Sequence, residues 1–168
     1  MTHEWRRGEY LVSTDPARLD VEAIHSFLSE ESYWARGRTL ETVRRSVENS
    51  LPFGLYRGES RQVGFARLIT DRATFAWLAD VYVLGEERGR GLGKWLAECV
   101  VSHPELVGLR RWVLATKDAH GLYRPLGFTE LLRPERWMEM HDPRTVERPD
   151  YWSGDAGHDR RKGDSTDG

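Results

Sequence analysis

The sequence predicts a mixed α/β domain of the α+β type, with one twisted, mostly antiparallel central sheet flanked by helices. Three observations carry that prediction. Apolar runs at 51–56, 62–70 and 75–84 are separated by short polar turns, the pattern of consecutive antiparallel strands. Residues at helical spacing stand on both sides of them: Leu19, Ile24, Phe27 and Leu28 before, Leu92, Trp95, Leu96, Cys99 and Val100 after. The 168 residues, 39% hydrophobic and 31% charged, suit one domain with its own core.

Taken in order, Glu9 to Thr14 reads as a short strand closed by Asp15-Pro16. A helix is expected from Ala17 to Leu28. A polar and aromatic loop follows, containing Glu30, Glu31, Tyr33 and Trp34. Thr39 stands three residues before Thr42, with Glu41 in the first turn, and is expected to cap a helix running to about Asn49. Arg57-Gly58-Glu59-Ser60 reads as the turn of a hairpin, and Phe75 to Leu84 as a third strand. The helix from Gly91 to Ser102 is ended by Pro104, which cannot continue it. Arg111 to Thr116 is a strand, and Ala119 to Leu126 a short helix stopped at Gly127. Phe128–Leu132 and Trp137–His141 are expected to close the sheet as a strand pair. Beyond Asp142 the chain is rich in Pro, Gly and Asp and poor in aliphatics, so it cannot bury enough surface to offset its ordering entropy. The expected organisation is a domain over 1–142 and a flexible polar tail over 143–168.

The formal net charge of -2 gives no basic stripe for nucleic acid and no field for lipid. No segment is long and apolar enough to be a signal peptide or to span a bilayer. A soluble cytoplasmic protein is expected. The single Cys99 lies on the apolar face of its helix and reads as core. His25, His103 and His141 lack metal-ligand spacing.

The most informative segment is Arg88-Gly89-Arg90-Gly91-Leu92-Gly93, between a strand and a helix. Missing side chains let the backbone approach an anion. The first amides of a helix have no internal partner, and its dipole favours negative charge there. Arg88 and Arg90 add fixed positive charge. A diphosphate suits this turn, although a tight strand–helix corner alone would also use such glycines. A nucleotide P-loop is excluded, because Trp95 follows Lys94 where a hydroxyl is required, and the dinucleotide spacing of glycines is absent.

These residues resemble the signature of the GNAT superfamily of acyl-CoA N-acyltransferases, Arg/Gln-x-x-Gly-x-Gly/Ala after a strand. A second segment, Ala119-His120-Gly121-Leu122-Tyr123-Arg124-Pro125-Leu126-Gly127-Phe128, is similar to the family's Ala-x-x-Leu-Tyr-x-x-x-Gly-Phe helix. The resemblance covers about 10–142. It implies central strands that splay apart around the pantetheine arm of acetyl-CoA, the acyl donor. It also implies that Arg88, Gly89, Arg90, Gly91 and Gly93 hold the pyrophosphate, and that main-chain groups of Val81 and Val83 meet the acyl and pantetheine groups. Thr116 stands where relatives often have Asn, and His120 is a substitute contact there.

The reaction implied is direct attack of an amine on the thioester carbonyl. A Val83 N–H is the natural donor to the carbonyl oxygen. Tyr123 matches the family's acid for the leaving thiolate; packing beside Leu126 and Phe128 is its alternative role. An amine must lose a proton first. Trp77 and Ala79 stand where relatives often place a strand carboxylate, which leaves Asp80 as the candidate base and Glu30 or Glu31 as alternatives. Asp80 could equally be a hydrogen-bonded strand residue. The expected acceptor is a small-molecule amine near an aromatic wall of Tyr33 and Trp34. A protein or peptide amine, or a CoA-binding sensor without turnover, are the competing functions. A homodimer is left open.

Overall fold

In the computed structural model, which describes residues 1–140, six strands lie side by side in the order in which they occur in the sequence. β1 (Glu4–Arg7) and β2 (Tyr10–Ser13) form a tight antiparallel hairpin. Its turn uses Gly8 at φ 58°, which a glycine adopts without a Cβ penalty. The strand expected at 9–14 is thus the second arm of a hairpin. The first arm, Glu-Trp-Arg-Arg, is hidden in the sequence because it shows no apolar alternation.

The helix expected from Ala17 to Leu28 is broken. A single turn at Pro16–Arg18 is followed by α1 (Val21–Ser26), capped by the Asp20 carboxylate, which accepts from the Ala23 N–H at 2.9 Å. The chain then widens into a π-type turn at Phe27–Glu31. α2 (Leu40–Glu48) begins as expected, with the Thr42 N–H donating to Thr39 Oγ1 at 3.2 Å. Thr39→Ala is expected to lower the unfolding free energy by about 1 kcal/mol. The check is a lower urea midpoint at unchanged slope; an unmoved midpoint would contradict the cap.

β3 (Leu51–Arg57), β4 (Arg61–Thr70) and β5 (Phe75–Val83) form an antiparallel meander at the centre. α3 (Leu92–Val101) then crosses over, and β6 (Arg111–Leu114) joins β5 in parallel. A parallel partner needs such a crossover, since a hairpin turn can only reverse the chain. α4 (His120–Tyr123) continues as one tighter turn and stops at Gly127, φ 95°. The strand pair expected at 128–132 and 137–141 is absent from the described residues. Residues 128–140 hold one helical turn at Pro134–Arg136, and Leu132, Met138 and Met140 are almost fully exposed. Leu132, Met138 and Met140, apolar side chains of the two segments, have no core to pack against, so pairing would bury little surface. His141 and the tail expected at 143–168 lie outside the described residues.

Each face of the sheet carries its own core. α3 packs Leu96, Ala97 and Val100 against Phe53, Leu55, Ala66, Leu68 and Leu78. Cys99 belongs to this core, and burial pushes its thiol up to about 12. On the other face, α1, the π-type turn and α2 pack Ile24, Phe27, Val43 and Val47 against Phe65 and Tyr82, with the Phe27 and Tyr82 rings stacked at 3.8 Å.

His103 is fully buried, 4.5 Å from the His3 ring and beside Trp5 and Phe53. Burial and His3 hold its imidazolium form below the usual range. Its folded pKa is therefore depressed, so the unfolded chain takes up the proton first. Stability is full above the unfolded value of about 6.5 and falls as pH drops below it. The urea midpoint is expected to decrease between pH 7.5 and pH 5.5, before carboxylates titrate. A flat midpoint over that window would show that His103 does not couple to folding.

Candidate active site

β5 ends in a helical turn at Gly85–Glu87, and the chain reaches α3 through Arg88 to Gly91. Gly89 and Gly91 adopt φ 78° and 73°, which glycine alone tolerates cheaply. Gly91 is the N-cap of α3, and it has no side chain to satisfy the first amides of the helix. Residues 88–91 are all exposed, and a Cβ added at Gly89 would meet nothing within 4 Å. The corner is open, and its bare amides and positive helix end fit an anionic group.

Sequence reasoning missed two supports of this turn. The Arg7 guanidinium, from the β1–β2 hairpin, lies 3.8 and 3.9 Å from where a Gly91 Cβ would stand. It has no ion-pair partner among the described residues, so its charge is available beside the turn. Glu87 is 1% exposed and anchors the turn from beneath. It accepts from Tyr10 Oη at 2.7 Å and Arg57 Nη1 at 3.2 Å, and pairs with Arg90 Nε at 3.6 Å. The Tyr10 hydrogen bond, with Arg57, holds its carboxyl below the usual range against the cost of burial. Arg88 is tied back by its Nε, which donates to Val83 O at 3.1 Å.

Gly93 has a different use. A Cβ there would stand 3.3 Å from a Leu122 methyl, so its bareness lets α4 approach α3. That contact brings Tyr123 towards the end of β5.

The sheet is open beside that end. β5 and β6 pair only from Phe75↔Arg111 to Leu78↔Leu114. From Ala79 onward β5 has no strand neighbour on that side among the described residues. The Leu84 N–H donates to Val63 O at 2.9 Å, and Tyr82 and Val83 pair with Phe65 and Gly64. Antiparallel alternation therefore turns the N–H of Val83, and by the same parity that of Val81, into the gap. The bulge lies at Asp80 and Val81, which together face Ala66 where the register shifts between Phe65 and Arg67, and Asp80 takes φ 52°. Strain of this kind in a non-glycine residue persists only where its surroundings fix it.

Those surroundings are three donors. Asp80, 6% exposed, accepts from Trp34 Nε1 at 3.0 Å, Arg38 Nη1 at 2.9 Å and Arg67 Nε at 2.5 Å. Burial pushes its carboxyl up, but the Arg67 and Arg38 guanidiniums outweigh burial and hold it below the usual range. A carboxylate held this way is a poor proton acceptor. The base role expected of Asp80 does not fit this geometry, and its other reading, a hydrogen-bonded strand residue, does.

Tyr123 is 7% exposed, with its ring 5.8 Å from Phe128. Its hydroxyl has no partner among the described residues, and burial, reinforced by Tyr33 nearby, pushes it up to about 12. It is a protonated donor at neutral pH. Tyr33 accepts from the Lys117 N–H at 3.2 Å and meets Trp34 edge-on at 5.0 Å. The loop before α2 thus reaches across to the segment after β6, and Tyr33, Trp34 and Tyr123 gather where the strands part. Thr116 Oγ1 accepts from the Ala119 N–H at 3.0 Å in the turn that precedes α4. His120 is exposed at the first position of that helix. Glu30 and Glu31 are exposed on the π-type turn.

Comparison with known proteins gives a consistent picture. A Gibberella zeae protein provisionally named an acetyltransferase is 39% identical, over 71% of this chain and 78% of its own. The crystal structure of a GNAT-family protein from Xanthomonas campestris pv. campestris, also provisionally an acetyltransferase, is 48% identical. It superposes with a TM-score of 0.80 over 85% of this chain and 100% of that one. A Clostridium acetobutylicum structure described with acetyl-CoA shares the fold, with a TM-score of 0.59 at 14% identity over 84% of this chain and 96% of its own. The model of the acetyltransferase (GNAT) family matches residues 21–128. With its splayed sheet, open glycine corner and these relatives, the chain belongs to the GNAT family of acetyltransferases.

Proposed function

We propose that this protein transfers an acetyl group from acetyl-CoA to the primary amine of a small molecule by direct attack. One observation carries the reading: β5 and β6 stop pairing after Leu78, and the unpaired end of β5 leads to the exposed glycine corner at 89–91, with Tyr123 on the helix that packs against Gly93. The family's use of acetyl-CoA, and the Clostridium relative described with it, support the choice of donor.

Acetyl-CoA supplies an activated acyl group. Around it, the α3 amides and Arg7 hold the diphosphate, and the Val83 N–H stabilises charge that develops on the carbonyl oxygen. Tyr123 donates its proton to the departing thiolate, a contribution of about 10²–10⁴-fold for a placed acid. Holding both reactants in one cleft contributes up to roughly 7–11 kcal/mol. Because Asp80 is already engaged, water at the exposed end of the cleft takes the amine proton. The aromatic roof is tied to Asp80 through Trp34 and to Lys117 through Tyr33, which favours a small amine over a peptide chain.

The test combines calorimetric titration with acetyl-CoA and release of free CoA thiol on adding amines. Micromolar binding and amine-dependent release are expected. If acetyl-CoA neither binds nor raises the melting temperature, the reading fails. Faster release with peptide amines than with any small amine would shift the acceptor class.

A further inference from the structure

We propose that the acceptor amine carries a carboxylate, which the guanidiniums of Arg38 and Arg67 hold beside the reacting end of the cleft. The inference rests on the acetyl-transfer reading above and names its acceptor class.

The charge count around Asp80 is uneven. Oδ2 takes both Arg67 Nε and Arg38 Nη1, and Oδ1 takes Trp34 Nε1. One carboxylate thus faces two guanidiniums, and a charge of one positive unit is left over. The Arg67 and Arg38 side chains are only 12% and 24% exposed. Among the described residues neither has a second carboxylate within ion-pair distance, and neither side chain makes another hydrogen bond. A guanidinium has five N–H donors, and each of these spends one on Asp80. A half-buried excess cation with donors to spare is costly unless an anion completes it.

Its position ties this charge to the reaction. Asp80 immediately precedes Val81, whose main chain turns into the gap. Trp34, on the other side of Asp80, packs against Tyr33, which lies beside Tyr123. The spare positive charge therefore sits next to where the acetyl group would be placed. A diamine or polyamine would bring further positive charge to it, whereas a carboxylate matches the planar fork of a guanidinium.

With the acceptor's carboxylate beside Asp80, two anions balance the two guanidiniums, and the amine gives its proton to water as in the reading above. Asp80 then acts as a positioning residue that fixes both arginines, and Arg38, the more exposed, sets acceptor specificity.

The test uses matched acceptors that differ by one group: lysine against cadaverine, phenylalanine against phenethylamine, and 2-aminoethyl phosphate against ethanolamine. Initial rates of CoA release with acetyl-CoA, and calorimetric binding to the CoA-saturated protein, are measured for wild type and Arg38→Gln. Wild type is expected to prefer the carboxylated member by about tenfold or more, the factor that a charged hydrogen bond supplies. Arg38→Gln should raise KM for that member towards that of its plain amine and leave acetyl-CoA affinity intact. Arg38→Lys should restore part of the preference. Arg67 still pairs with Asp80 in both variants, and an unchanged melting curve confirms the fold. Equal or better use of the plain amines, an equal loss for both members in Arg38→Gln, or no binding of any carboxylated amine would overturn the proposal. A preference confined to the phosphate member would overturn the carboxylate assignment. Absence of acetyl-CoA binding would instead defeat the acetyl-transfer reading, and so is distinguishable.

Discussion

Gly91→Glu is expected to weaken acetyl-CoA binding by more than about a hundredfold while the protein stays folded. Two effects add. The position has φ 73°, where a residue with a Cβ pays roughly 1–2 kcal/mol of local strain. The greater effect is electrostatic. A side chain there grows towards Arg7, whose nitrogens lie 3.8 and 3.9 Å from the new Cβ. A carboxylate would neutralise that guanidinium and stand in the path of the diphosphate. Gly91→Ala separates the two effects, since it carries the strain and not the charge, and is expected to lose far less affinity. Calorimetric titration of both variants decides the matter. Wild-type affinity in a folded Gly91→Glu protein would remove the pyrophosphate role from this corner.

Tyr123→Phe is expected to lower kcat by about a hundredfold or more and leave the Kd for acetyl-CoA nearly unchanged. The hydroxyl has no partner among the described residues, so its removal breaks no bond of the fold. Phenylalanine fills the same space against Phe128. Stability should therefore hold, and a loss of turnover can be assigned to the missing proton. Because burial keeps this group protonated up to about 12, the wild-type rate should show no fall from tyrosine ionisation between pH 7 and pH 9. Undiminished turnover in Tyr123→Phe would return the residue to a packing role.

Much of this molecule is written locally. The β3–β4–β5 meander follows from apolar runs and short turns, and the Thr39 cap from four residues of sequence. The open corner at 88–91 is legible because its glycines sit together between a strand and a helix. Tyr123 is marked by the resemblance of its helix. The features that escaped the sequence are those built across distance. Asp80 looks like a spare carboxylate until Arg67, 13 residues away, and Arg38, 42 residues away, converge on it. Glu87 meets Tyr10 across 77 residues. Arg7 reaches Gly91 only because a hairpin of charged residues, without apolar alternation, folds beside the turn. At the other end, the strand pair expected at 128–132 and 137–141 does not form in the described residues, where Leu132, Met138 and Met140 find no core to enter.

The strand order, identical in space and along the chain, bears on how the cleft comes into being. Three of the five strand junctions are tight turns that close with little loss of chain entropy. β6 is different: it is reached only after a helix has crossed over, and it pairs with β5 in parallel. The central ribbon can zip up on its own, while the seam beside β6 must wait for that crossing. A ligand lodged in this seam would bridge β5 and β6 beyond the point where their own pairing ends, and so stiffen the molecule there.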